Sequence, residues 1–275
     1  MSWDNDAYNS TRSVAALVKA ACASKNLLIP SPLSFHDVAR LIDVDEDESV
    51  SPRDDQDDPL AQELCDAAEA LEYTERTGGV ETTVSVTDSM AALFDRSSAE
   101  ARALKPRLFI AWRIQGDSHL AVMHVAAMLC ACLYSRDETL GTQRFTQSYC
   151  AQHRIPRLGE NSLFIDVVSS RGQPHAAGAL LVLSAYLQVM RSRTLEYLCT
   201  IAVTPKMKRL CESLGMDTYD YREDGAQRTF AWAKKGDLSA SNIAGRLRLH
   251  REFEELCWRA GASSRTQDKR YPRCA

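Results

Sequence analysis

Leu163-Phe-Ile-Asp-Val-Val168 is an almost unbroken apolar run with a single acid, Asp166, in its middle. Such a run is the pattern of a buried strand. Burial there would raise the pKa of the carboxylate toward the range useful for general-base work. The same acid has a simpler reading, a residue on the solvent face, because strand faces alternate. After a polar turn from Ser169 to His175, containing Gly172 and Pro174, comes an apolar helix over Ala176 to Arg191. Its first turn, Ala176-Ala-Gly-Ala179, carries only small residues. A helix N-terminus offers free N–H groups and a positive dipole end. A bare first turn lets a pyrophosphate come within hydrogen-bonding distance. Arg171 and His175 would add charge or donors. The four small residues would equally serve close packing of the helix on a sheet. Of the nine cysteines none forms a CxxC pair, and Cys130-x-Cys132 lies in an apolar stretch, so no metal site is expected.

These groups need elements to hold them. Leu195 to Val203 reads as another buried strand. Thr204 then caps a helix opened by Pro205 and closed by Leu214-Gly215. Two strands follow, about Thr218–Arg222 and Arg228–Ala233, joined at Asp224-Gly225, and then a C-terminal helix from Ser239 to Ala260. Upstream, Asp58-Pro59 starts a helix that ends at Gly78-Gly79. Val80 to Thr87 alternates as a strand. Thr87 or Asp88 caps a helix to about Leu104. Arg107–Gln115 and His119–Leu133 form an antiparallel pair around Gly116-Asp-Ser118. Ser135 to Asn161 is a polar insertion with one helix near Phe145–Cys150. Strands and helices in this order predict a mixed α/β fold.

The first 57 residues read as an arm. A short helix over Thr11–Ser24 carries Val14, Leu17, Val18 and Ala21 on one side. Ser34-Phe-His-Asp37 matches a capping box before a second helix through Leu41. Asp43 to Asp58 then holds nine acids and one Arg, a linker composition. The expected division is an arm and linker over 1–57, one domain over 58–262, and a polar basic tail over 263–275. Formal net charge is −4, which argues against direct nucleic-acid binding. The longest apolar run, Val125–Tyr134, is too short to cross a bilayer, so no membrane partner is expected. Acids stand where a secretory leader would be positive. Free thiols fit a reducing compartment. Both point to an intracellular protein, cytoplasmic or nuclear.

From about Val80 to Lys235 the element order resembles the GNAT superfamily of acyl-CoA-dependent N-acetyltransferases. Two stretches carry the resemblance. Gln173-x-x-Ala176-x-Gly178 is similar to the family's Q/R-x-x-G-x-G/A motif, with Ala176 in place of the first Gly and Pro174 removing one N–H. Cys211-Glu-Ser-Leu-Gly-Met216 looks like the family's Tyr-Glu-Lys-Leu-Gly-Phe. The resemblance implies a splayed mixed sheet flanked by helices and acetyl-CoA as acyl donor. It places the cofactor against Arg171, Gln173, His175, Ala176, Ala177, Gly178 and Ala179. A strand amide near Val167 or Val168 would polarise the thioester carbonyl. Cys211 falls where many members keep a Tyr acid; its other reading is a buried small hydrophobe. Asp166 leads as base, with Glu196 and His124 as weaker candidates. The expected acceptor is an amine, foremost a lysine of a protein with a basic, histone-like tail, since an acidic chain suits a basic partner. The alternatives are a small-molecule amine and a GNAT-like interaction module without catalysis.

Overall fold

The computed structural model describes residues 3–42, 59–77, 80–116, 122–134, 155–156, 158–159, 161–171, 176–223, 226–248, 252 and 254. The expected linker, the helix near Phe145–Cys150, the Asp224-Gly225 turn and the basic tail lie outside the described residues; the helix expected over Ser239–Ala260 is corrected, since it ends at Arg246 with Leu247 as its C-cap and Arg248 at φ 57°.

In chain order the elements are α1 (Trp3–Ser24), β1 (Leu27–Leu28), β2 (Leu33–Ser34), α2 (Phe35–Ile42), α3 (Pro59–Ala70), β3 (Glu72–Thr77), β4 (Val80–Ser85), α4 (Val86–Leu93) and α5 (Ala99–Ala103). Then come β5 (Arg107–Gln115), β6 (Val122–Leu133), β7 (Ser162–Ser170), α6 (Ala177–Arg191), β8 (Tyr197–Ala202), α7 (Pro205–Leu214), β9 (Asp217–Glu223), β10 (Ala226–Lys234) and α8 (Ala240–Arg246). The main sheet has the order β1-β5-β6-β7-β8-β10-β9, with β2 also on β5, and β3-β4 form a separate hairpin. Among the described residues only β7 and β8 pair in parallel, through α6 as the crossover. The mixed α/β fold is the one the sequence predicts.

Alternation along each strand gives the sheet two apolar faces. One packs Phe109, Leu129, Leu163 and Ile165 under α1 and α6. The other packs Leu108, Ile110, Met128 and Phe164 under α2, α3 and α4. Tyr186 of α6 is fully buried and ties helix to sheet: its hydroxyl donates to the Lys234 carbonyl at 2.8 Å and accepts from Gly236 N at 2.9 Å.

Several local signals hold. Thr204 caps α7 with its side chain, Pro205 stands in the first turn, and Gly215 ends the helix at φ 87°. Ser34 and Asp37 form the expected reciprocal cap, Asp37 Oδ2 taking Ser34 N at 2.9 Å. Other expectations are corrected. The helix from Pro59 stops at Ala70, because Glu72–Thr77 leaves it to pair with β4. The next helix is capped by Ser85, not Thr87 or Asp88, with Asp88 closing the capping box. It ends at Leu93, and Ser98 caps a separate short helix.

The largest correction concerns the arm. α1 is no appendage outside a domain beginning at residue 58. Val14, Leu17 and Ala21 are completely buried in the core that α6 and the sheet share. The chain then adds β1 and β2 to the edge of β5. Ser24 Oγ and Lys25 Nζ both reach Glu252 Oε1, at 2.8 and 3.2 Å, so Glu252 is fastened at the C-terminal end of α1. The apolar stripe was visible in the sequence; its partner lies about 150 residues downstream.

Candidate functional site

Parallel pairing between β7 and β8 runs from Ser162↔Tyr197 to Ile165↔Thr200 and stops there. β7 continues to Ser170 along β6, and β8 continues to Ala202 along β10. The two strands therefore part, leaving an opening between Asp166–Ser170 and Ile201–Ala202. Thr200 Oγ1 donates to the Ile165 carbonyl at 3.0 Å and closes the last rung. Val167 is buried and Val168 half-buried along the β7 wall.

β7 is irregular at this point. Cys130 pairs with Val167 and Ala131 with Ile165, so Asp166 is the extra residue of a bulge. Bulges re-aim a side chain and locally end pairing. Here the bulge sends Asp166 toward α4, where Ser89 Oγ donates to Asp166 Oδ2 at 2.7 Å. Ser89 is itself buried, directly after the Ser85–Asp88 capping box that fixes the start of α4. Asp166 is exposed, which corrects the expectation that burial would tune it. The thiols beside it are sealed. Burial first, then the Asp166 charge, pushes Cys130 and Cys132 well above the usual thiol range. Burial thus disfavours the thiolate, the form a nucleophile needs.

On the opposite face, α6 begins beside the β7 wall. Ala176 is its N-cap at φ 81°, a left-handed conformation unusual for a residue with a Cβ, and has no side chain to cap the first amides. The small residues divide their work. Ala177 and Ala179 are buried and pack the helix. A Cβ on Gly178 would meet Val168 Cγ2 at 3.6 Å and Ser170 at 4.0 Å, ordinary contact distances, so the packing of α6 on β7 does not itself demand glycine here. Gln173 and His175 lie outside the described residues. Arg171 is turned toward α3, its Nη1 3.4 Å from Glu63 Oε1. Glu63 also accepts from Val125 N at 2.9 Å and stands 3.6 Å from His124 Nδ1. Arg171 and His124 thus tie α3 to the sheet.

Two other candidates stand away from the opening. Glu196 precedes β8 at the paired end, where its N–H donates to the Asn161 carbonyl at 2.7 Å and its carboxylate accepts from Asn161 Nδ2 at 3.3 Å. Cys211 is completely buried in the core beneath α7, and burial pushes its thiol up to about 12. That is the environment of a packing residue.

The sequence reading passed over Ser89 and Thr200. Ser89 had a signal: Val86, Ser89, Met90 and Leu93 form the buried stripe of α4, and Ser89 is its one hydroxyl. Thr200 had none, since a Thr within a buried strand reads as an ordinary β-former.

No protein-family model matches the chain, and no curated protein matches it in sequence. Among solved structures it is similar to the C-terminal condensation domain of Ebony in complex with beta-alanyl-dopamine, at TM-score 0.44 and 12% identity over 76% of this chain and 98% of that one. An acetyltransferase of the GNAT family from Streptococcus pneumoniae aligns at TM-score 0.37 and 14% identity, covering 76% and 99%. A Salmonella typhimurium protein described as an acetyltransferase, solved with its cofactor acetyl-CoA, aligns at TM-score 0.38 and 11% identity, covering 77% and 95%. These likenesses concern the course of the chain at low similarity and bring no residue-level correspondence.

Proposed function

We propose that this chain is an acyl-CoA-dependent N-acetyltransferase working at the parting of β7 and β8. One observation carries the reading. The strands separate after Ile165↔Thr200, just where β7 bulges at Asp166 and the side-chain-uncapped start of α6 comes alongside. A slot walled by backbone that is not paired across it, with a helix N-terminus at one end, suits a phosphate-bearing thioester. The pyrophosphate would rest on the first amides of α6, and the pantetheine arm would run along Asp166–Ser170. The amides of Val167 and Val168 are the candidates to polarise the thioester carbonyl.

The acceptor enters from the α4 face, where Asp166 stands. Its amine nitrogen attacks the thioester carbon, the C–S bond breaks, and the proton lost by nitrogen passes to Asp166 directly or through water. CoA leaves as thiolate and takes its proton from solvent, because Cys211 is too deeply buried to supply one. Ser89 holds the carboxylate in place from α4. The acceptor class we favour is a lysine of a basic protein segment; a free small-molecule amine is the second reading.

Melting curves with acetyl-CoA and with CoA test the first step. Saturating ligand at 100 times its Kd stabilises by about 2.7 kcal/mol, a shift of several degrees. No shift with either ligand, on folded protein, would remove catalysis and leave a binding module. With a shift in hand, Asp166→Asn should retain CoA binding and lose about 10²-fold or more in turnover. Peptides bearing lysine, compared with polyamines and arylalkylamines in one thiol-release assay, separate the two acceptor classes.

A further inference from the structure

A cleft of about 1430 Å3 opens at the other end of α6, between that helix, α1 and the β1–β2 segment. Gln188 lies ten residues beyond Gly178, so this cleft is about 15 Å along the helix from the site just described. Its floor is apolar, with Val18, Cys22, Leu27, Phe109, Leu163 and Leu187 all buried there. Its charged residues are all of one sign. Lys19, Lys105, Arg107 and Arg191 line it, and no Asp or Glu does. None of the four cations has an ion-pair partner among the described residues. In a chain of net charge −4, four unpaired cations around one apolar cleft are a local reversal of the general charge.

Two further facts bear on the occupant. Gln188 Oε1 is buried and has no hydrogen-bond partner among the described residues; as an acceptor it takes no part in holding an anionic head. The carbonyl end of α6 would repel an anion, but Lys235 Nζ donates to the Ser192 carbonyl at 2.6 Å and offsets it. Aliphatic surface open to the cleft beneath an uncompensated positive rim calls for a ligand with an apolar tail and an anionic head.

We propose that this cleft is a second binding site, taking a single-chain aliphatic carboxylate. The tail lies on Leu27, Phe109, Leu163 and Leu187, and the head is held among Lys19, Arg107 and Arg191. The site does not depend on acetyl transfer at the β7–β8 opening.

The probe is decanoate below its micellar concentration, titrated calorimetrically into the full chain at fixed salt. Saturable binding with one site per chain is expected. Methyl decanoate, which lacks the charge, should bind at least tenfold more weakly, and decylamine should not bind. The double variant Lys19→Glu with Arg191→Glu changes two exposed side chains and should weaken decanoate at least tenfold while keeping its melt. Ala16→Trp fills the cleft from α1 and should abolish binding. Absence of saturable binding overturns the proposal, as does equal affinity for the ester. Unchanged affinity in both folded variants also overturns it, as does displacement of decanoate by CoA, which would place the probe in the β7–β8 opening.

Discussion

Leu17→Ala is the sharpest test of how the N-terminal helix belongs to the fold. Leu17 is completely buried on the stripe it shares with Val14, Val18 and Ala21, against the core formed with α6. The substitution removes three carbons. At about 0.8 kcal/mol per buried methylene the transfer loss is about 2.4 kcal/mol. The cavity left between two helices adds to it, so the expected cost is about 3 kcal/mol within a general range of about 2–5. For a chain of this size that is a fall in Tm of about 6–12 °C. Urea unfolding followed by tryptophan fluorescence measures it, with Arg12→Ala as control. Arg12 is exposed on the same helix and outside the stripe, and its change should stay within about 0.5 kcal/mol. A Leu17→Ala cost below about 1 kcal/mol, with α1 intact by circular dichroism, would mean that the helix does not dock. The boundary near residue 58 would then stand.

Cys211→Ala should cost about 1–2 kcal/mol of stability from lost packing and leave turnover per folded molecule unchanged. A hundredfold loss of turnover would restore the thiol as a proton donor. Its pKa near 12 also predicts no inflection from this group in a pH–rate profile below pH about 10. Gly178→Glu should weaken CoA. The Cβ site faces Val168 and Ser170 at ordinary contact distance, so Gly178→Ala should fold normally and separates crowding from charge. Equal CoA affinity in both would place the phosphates elsewhere. Asp220 is held below the usual carboxylate range, first by its hydrogen bond from Lys208 and then by that from Thr229. A depressed folded pKa stabilises above the unfolded value near 4, and the benefit is lost as pH falls through the folded value. The stability gap between wild type and Asp220→Asn should be present at pH 6 and vanish in acid. A gap that grows in acid would reverse the sign of this argument.

What could be read from the sequence was what neighbouring residues decide among themselves. Thr204-Pro205, Ser34–Asp37 and the Arg107–Gln115 run are set within a few residues, and the structure keeps them. β3 escaped because Glu72–Thr77 is polar and gains its strand character only from pairing with β4. The docking of α1 escaped because a stripe says that a helix is buried and not against what.

The candidate site shows the same division at finer grain. Asp166 stood out by type, as the one acid in an apolar strand, yet its direction was not in the sequence. Strict alternation would have put Asp166 and Val167 on opposite faces; the bulge against Cys130 and Ala131 suspends that rule for one residue. The suspension has a consequence for chemistry. An in-register Asp166 would have completed the pairing with β6 and kept β7 a regular rung to its end. As the unpaired residue it turns to Ser89 while Thr200 closes the final rung with β8 one residue earlier. Bulge, carboxylate and parting strands are therefore one feature of the backbone, with proton acceptor and slot fixed together. A substitution that restores register, deletion of Asp166 rather than its replacement by Asn, should then impair ligand binding as well as turnover. If Asp166→Asn and the deletion bind CoA equally, the slot is made by β8 alone and the bulge serves only to aim the side chain.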